Sequence, residues 1–274
     1  MQSLPGFTDG GKITELIPSM ERLIAYTLEK TTKLKCTRGS IEPPLLYTIF
    51  SDLINRLISS NKDCTIITFN YDLGLDYSLY RSGIVPDYGL NDNVITGKNV
   101  KYLKLHGSLN WGKCSKCEKI VPYRNFQYTE HKSGLDYATI PVISKLQSMS
   151  CCEEQLNSGS LIVPPTWNKT AFHGQINQVW RKAASELKDT ENIFVLGYSL
   201  PNTDMFFHYL FALGVEMKTI LKNFYVYNPD RSVEERFKTL LGSGVTERFH
   251  FESYDFGNAL TAVNGLVDDI ISFG

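Results

Sequence analysis

The 274-residue sequence predicts an α/β protein built on a doubly wound, mostly parallel sheet with a small cysteine-containing insert. Three observations carry that expectation. Short apolar, β-rich runs alternate with helical patterns, the order that builds parallel sheets. Two of the runs stop abruptly at polar clusters, Ile66-Ile67-Thr68-Phe69-Asn70-Tyr71-Asp72 and Leu103-Lys104-Leu105-His106-Gly107-Ser108. Such a stop is a strand's carboxyl end, and in open α/β sheets that is where ligands bind. Composition then changes over residues 111–160, where Cys, Lys, Ser, Gln and Tyr accumulate without periodicity.

The elements follow in order. Leu16, Met20, Leu23, Ile24 and Leu28 fall at helical spacing and predict a core helix over 13–33. A second helix over 44–59 has Leu46, Ile49, Phe50, Leu53, Ile54 and Leu57 on its buried face. The near-continuous apolar run 64–69 reads as a strand covered on both faces. A short helix over 73–82 starts on the Asn70/Asp72 turn, and the next strand spans 100–105. After the insert the α/β pattern resumes at Leu161-Ile162-Val163-Pro164-Pro165. Helices are expected over 177–187, 204–214, 233–241 and 256–273, with strands over 193–196, 223–227 and 248–251. The first of those strands ends in Gly197-Tyr198-Ser199-Leu200-Pro201, the second in Asn228-Pro229-Asp230.

Composition narrows the class. With 42% hydrophobic and 21% charged residues the chain can bury a sizeable core and is not a disordered sequence. The net charge of −1, from 28 basic and 29 acidic residues, gives no electrostatic footprint for nucleic acid or anionic lipid. No apolar run approaches a membrane span. The first twelve residues lack a basic region followed by an apolar core, so the expectation is no signal peptide and a cytoplasmic protein.

Asn70, Asp72 and His106 are expected to project into one crevice. Amide, carboxylate and imidazole together suit a substrate with a hydroxyl to deprotonate and a charged centre to steer. The plainer alternative makes Asn70-Tyr71-Asp72 a loop cap and His106 a satisfied turn histidine. Cys114-Ser115-Lys116-Cys117 has the spacing that lets two thiolates face one Zn²⁺. Cys151-Cys152 is the candidate second pair, and adjacent cysteines both ligate only on a distorted backbone. The alternatives are one of that pair with His131 or water, an eroded ribbon of free thiols, or a Cys114–Cys117 redox pair. Cys36 and Cys64 read as small buried hydrophobes. Trp167 and Trp180 read as packing residues, His173 as a surface residue, and His208 and His250 as structural. Asn202-Thr203-Asp204 reads first as a helix N-cap.

Thr68-Phe69-Asn70-Tyr71-Asp72, His106-Gly107-Ser108, Cys114-x-x-Cys117, Val195-Leu196-Gly197-Tyr198-Ser199-Leu200 and Asn228 resemble the motifs of the sirtuins in order and spacing. The Asn-Tyr-Asp sequence and Val163-Pro164-Pro165 resemble the bacterial sirtuin-like branch, whose members include NAD⁺-depleting effectors of anti-phage defence. The resemblance runs from about residue 46 to the C-terminus. It implies a Rossmann-like NAD-binding domain over 1–110 and 161–274 and a zinc-ribbon-like module over 111–160, with zinc on Cys114, Cys117, Cys151 and Cys152. It makes His106 the general base at the nicotinamide ribose and gives Asn70 the positioning of that ribose and the attacking water. Asp72 would bind the nicotinamide carboxamide. Thr68, Gly197 and Ser199 would line the cofactor, and Asn228 would meet the adenosine ribose. The implied activity is NAD⁺ glycohydrolysis to nicotinamide and ADP-ribose. A protein deacylase or ADP-ribosyl transferase, and an impaired NAD/ADP-ribose-binding module, stand as alternatives. Phe69 stands where classical deacylases carry Gln, and Tyr71 where they carry an aliphatic residue, which favours the hydrolase. The implied partners are the small molecule NAD⁺ and a second copy or a defence-system protein. Sirtuins open with a strand and a Gly-Ala-Gly-x-Ser loop that cradles pyrophosphate on a helix N-terminus. Gly10-Gly11-Lys12 follows no predicted strand, so the domain is expected to be N-terminally incomplete.

Overall fold

The computed structural model describes residues 10–37, 40–90, 95–133, 135–156, 159–163, 170–201, 221–241 and 247–272. In chain order the first elements are α1 (Gly10–Thr31), β1 (Leu34–Thr37), β2 (Ser40–Glu42), α2 (Leu45–Ser59), β3 (Thr65–Thr68), α3 (Gly74–Arg81), β4 (Val85–Asp87), β5 (Asn99–Lys104) and β6 (Gly107–Ser108). Then come β7 (Trp111–Lys113), β8 (Ile120–Pro122), β9 (Thr129–Ser133), β10 (Leu135–Thr139), α4 (Val142–Gln147), β11 (Ser150–Cys151), β12 (Glu154–Gln155) and β13 (Leu161–Ile162). The last are α5 (Thr170–Lys188), β14 (Asn192–Leu196), β15 (Asn223–Tyr227), α6 (Ser232–Leu241), β16 (Phe249–Glu252) and α7 (Phe256–Ser272).

The chain divides into two compact units. Unit one comprises Met1–Pro44, Thr68–Arg81 and Lys104–Ile176; unit two comprises Leu45–Ile67, Ser82–Leu103 and Asn177–Gly274. Gly10, Gly11 and Lys12 open α1. No helix of the described residues is long and apolar enough to cross a membrane.

Unit two carries the parallel architecture. β14, β15 and β16 form a three-stranded parallel sheet, with Val195 opposite Val226 and Val226 opposite Phe251. A second three-stranded sheet has the order β3-β5-β4, with β4 and β5 parallel. Helix α2 packs on α7 through an edge contact of Tyr47 and a tilted contact of Phe50 with Phe256, and Arg56 reaches Asn264 and Asp268. Glu186 of α5 ties the second sheet by accepting from Thr65 Oγ1 and pairing with Lys101, both at 2.6 Å.

Among the described residues, the strand pairs of unit one are antiparallel. Its largest sheet has the order β2-β1-β10-β9, and β1 meets β10 across about a hundred residues of chain (Leu34 opposite Ala138). Nothing in the sequence reading anticipated this sheet. β13 pairs antiparallel with β6 over two residues, so the chain at Leu161 enters a short bridge and no parallel strand. Ala25, Leu34, Ile41, Tyr77, Leu109, Phe126, Ala138, Leu146 and Ile162 form the core of the unit.

Two helix readings need correction. Leu16 and Leu23 of α1 are 38% and 66% exposed, because the core-facing stripe runs through Ile24, Ala25 and Leu28 instead. In α2, Leu46 and Ile49 are exposed, whereas Leu53, Ile54 and Leu57 in the later turns are buried.

Candidate functional site

β3 and β5 end at Thr68 and Lys104, and their continuations deliver Asn70, Asp72 and His106 into unit one. The two continuations are laced together by the backbone. Leu105 N donates to Thr68 O at 2.8 Å, Leu109 N to Tyr71 O at 3.1 Å, and Val163 N to His106 O at 2.8 Å. His106 is buried, with the Phe69 ring edge-on at 4.9 Å between centroids and the Tyr71 ring stacked at 6.1 Å. The Tyr71 hydroxyl donates to the Val163 carbonyl. Asn70 is exposed, and its N–H donates to Thr68 Oγ1 at 3.1 Å.

Beyond His106 the chain is braced from inside. Ser108 Oγ donates to Asn110 Oδ1 at 2.7 Å, and Asn110 Nδ2 to Tyr123 O at 2.9 Å. Gly107 has φ +79°, and a Cβ there would run into the Leu161 carbonyl. Glycine is required at that position. Asp72 does what the plainer alternative expects of a loop cap: its Oδ1 accepts from Gly74 N at 2.9 Å and starts α3. The sequence reading passed over Lys104 and Asp76, a fully buried ion pair of 2.9 Å beneath this loop. The signal was a lysine inside an apolar strand two residues before His106.

The cysteines come together. Sγ atoms of Cys114, Cys117, Cys151 and Cys152 all lie within 4.8 Å of one another. Cys114 and Cys117 sit at the turn of the β7–β8 hairpin, where Glu118 takes φ +60° and Cys114 N donates to Lys119 O at 2.9 Å. Cys152 and Glu153 form the two-residue turn between β11 and β12, with φ of +53° and +67°. Two consecutive left-handed residues are the mark of a type I′ hairpin turn. That turn is the distortion that lets neighbouring cysteines serve one cluster. Cys117–Cys151 and Cys151–Cys152 sulfur separations are 3.6 and 3.8 Å. A tetrahedral zinc–thiolate centre with Zn–S near 2.3 Å places its sulfurs about 3.8 Å apart. The donor set therefore fits a metal ion. The Lys119 backbone, and then Cys152, hold the Cys117 thiol down to about 7, while Cys117 pushes Cys151 up to about 12. His131 lies elsewhere, on β9, its Nε2 2.9 Å from Thr139 Oγ1 and its ring stacked on Tyr137.

Gly197, Ser199 and Asn228 belong to unit two. Gly197 takes φ +71° where β14 ends, and its N–H donates to Tyr227 O at 2.9 Å. Arg236 of α6 donates to the Ser199 carbonyl at 3.0 Å. Asn228 is buried, and its Oδ1 accepts from Asp230 N at 2.9 Å. Asp230 accepts from both the amide and the hydroxyl of Ser232, which hold its carboxyl below the usual range.

Of the remaining residues singled out, Trp180 is buried as a packing residue and His250 stacks on Tyr225 at 4.7 Å. Cys36 is buried as expected, whereas Cys64 is only half-buried, and desolvation, with Asp63, pushes its thiol up to about 12. Pro164, Pro165, Trp167, Asn202, Thr203, Asp204 and His208 lie outside the described residues, as does the side chain of His173.

No family model and no curated protein matches the sequence. Among solved structures the chain is similar to a serine-to-alanine mutant of a Sir2 homologue in complex with ADP-ribose. The TM-score is 0.50 at 15% identity, over 97% of this chain and 80% of that one. A phenylalanine-to-alanine mutant of a Sir2 homologue, again with ADP-ribose, gives the same score and identity over 98% and 81%. The fold is that of the sirtuins. At this identity the likeness is one of fold, and it fits the α/β architecture with parallel sheets and a cysteine cluster in a separate antiparallel region.

Proposed function

We propose that this chain binds NAD⁺ and cleaves its nicotinamide–ribose bond, transferring the ADP-ribosyl group chiefly to water. The observation that supports this most is the lacing of the Asn70 loop to the His106 segment, with the Phe69 and Tyr71 rings around the imidazole. The ADP-ribose carried by the Sir2 homologues of the same fold is a second support.

Expelling nicotinamide leaves an oxocarbenium-like centre on the ribose. An imidazole titrates near neutrality and so suits removal of a hydroxyl proton there. In this reading His106 is the general base, and the exposed Asn70 amide orients the ribose and the attacking water. Asp72 spends one carboxylate oxygen on α3 and offers the other to the carboxamide. Thr68, Gly197, Ser199 and Asn228 line the dinucleotide. Residues 1–110 and 161–274 would serve NAD⁺, and 111–160 the metal. Cys114, Cys117, Cys151 and Cys152 would hold a Zn²⁺ whose four thiolates leave no open position, a structural role. Phe69 and Tyr71 favour hydrolysis over deacylation, and the motif resemblance supports a setting in cytoplasmic anti-phage defence.

The test is nicotinamide release from NAD⁺ by the purified chain, with and without an acetyl-lysine peptide. Release independent of peptide is the expected result. Release that requires peptide, coupled to its deacetylation, would make the enzyme a deacylase. ADP-ribose binding without release would make the chain a binding module.

A further inference from the structure

The Lys104–Asp76 pair has no chemical task in the reading above, yet both side chains are fully buried. Burying two charges is costly, and an apolar pair of similar volume commonly gives equal or greater stability. The pair therefore calls for an explanation other than stability, and its geometry supplies one. Lys104 Nζ donates to Asp76 Oδ2 at 2.9 Å and to the Asp72 carbonyl at 2.7 Å. Asp72 ends the loop that carries Asn70, Asp76 stands in the first turn of α3, and Lys104 precedes His106 by two residues.

We propose that Lys104 and Asp76 are positioning residues: the buried pair clamps the Asp72 carbonyl and so holds the Asn70 loop in register with His106. The proposal rests on the nicotinamide-cleavage reading for its catalytic consequence, but not for its structural one. Three carbonyls of the loop are held from the 104–109 segment. Thr68 O and Tyr71 O are held by the backbone amides of Leu105 and Leu109, which any residue supplies, with the Ser108 hydroxyl a longer second donor to Tyr71 O at 3.5 Å. Asp72 O is held chiefly by a side chain, with the Lys104 ammonium reaching it at 2.7 Å. Asp76 compensates the ammonium and aims it. A rigid link matters here because small displacements of reacting groups are costly in rate.

The test is the full-length double variant Lys104→Met/Asp76→Leu, which removes both charges at near-constant volume. Two readouts are taken: amide hydrogen exchange over residues 69–74, with β7 and β8 as internal reference, and steady-state nicotinamide release. Exchange in 69–74 is expected to rise roughly tenfold or more while the reference amides stay as in the wild type. kcat is expected to fall roughly tenfold or more with KM changed less than about threefold. Unchanged exchange in 69–74 would overturn the clamp. Faster exchange with unchanged kcat would overturn its link to catalysis. A wild-type chain that releases no nicotinamide would refute the functional reading, and the exchange experiment would still decide the clamp. Lys104→Gln/Asp76→Asn, a neutral hydrogen-bonding pair, is measured alongside and is expected to restore part of the protection. It carries the same decision if the apolar variant does not fold.

Discussion

The two units hold their strand-end loops by different means. In unit one the loop after β3 is fixed by backbone amides at Thr68 and Tyr71 and by a buried ammonium at Asp72. In unit two, among the described residues, the loop after β14 is held by the bond from Gly197 N to Tyr227 O and by the guanidinium of Arg236, an exposed hydrogen bond at Ser199. Buried bonds are strong because the alternative is an unpaired group away from water, whereas exposed ones compete with solvent. Under the nicotinamide-cleavage reading we propose, the difference would give the loops separate duties, with the groups that hold a reacting atom on the internally bonded loop and the groups that recognise the rest of the ligand on the other.

Breaking the first loop should therefore affect turnover, and breaking the second should affect affinity. The largest effect is expected from His106→Ala, which should lower nicotinamide release about 10²–10⁴-fold without altering the circular dichroism spectrum. Asn70→Ala should come close to it and exceed Asp72→Ala, since one Asp72 oxygen is already committed to α3. Gly107→Ala should destabilise by roughly 2 kcal/mol or more in a denaturant titration, because φ +79° and the Leu161 carbonyl both oppose a side chain. Chelation of the metal is expected to release about one Zn²⁺ per chain and to lower the thermal midpoint. Cys117→Ser should reduce the metal content, as read by mass spectrometry. Arg236→Ala should raise KM roughly three- to tenfold with kcat within about twofold, the signature of lost uniform binding. A fall in kcat instead would collapse the distinction between the loops.

The smallest effect is one of pH. The hydroxyl and amide of Ser232, with help from Arg236, keep the Asp230 carboxyl below the ordinary aspartate range. A carboxyl lowered in the folded state contributes stability that is complete above its unfolded value and lost as the pH falls through the folded one. Wild type should therefore lose slightly more stability than Asp230→Asn below about pH 4, as followed by thermal melts across the acid range.

Much of unit two was legible in the sequence because its strands are self-contained apolar runs. Ile193 to Leu196 and Phe224 to Tyr227 form β structure over nearly their predicted spans. Unit one was not, because its sheet depends on partners distant in sequence. Leu34-Lys35-Cys36-Thr37 and Ser40-Ile41-Glu42 are short and half polar; they pair locally as a hairpin, and Ala138 and Tyr137, far downstream, extend that pair into the four-stranded sheet. The same holds at the site. Asn70 and His106 were visible as strand-end polar residues, but Lys104 reads as an ordinary solvent-facing strand lysine until Asp76 is seen beneath it. The adjacency of Cys151 and Cys152 could be read as an obstacle to ligation. The left-handed turn that removes the obstacle was not legible, since neither Cys152 nor Glu153 favours positive φ.

The division of the chain has a consequence for its biosynthesis. The backbone passes between the units after Pro44, Ile67, Arg81, Leu103 and Ile176, so neither unit is one continuous stretch. Unit one has all its segments once residue 176 has left the ribosome, but unit two lacks β16 until residue 252. At 5–20 residues per second that interval lasts roughly 4–15 s. Throughout those seconds α2 is already made but lacks α7, which follows β16 and ends at Ser272. The sheet completed last is the parallel one, and non-local pairing of that kind is slow to form.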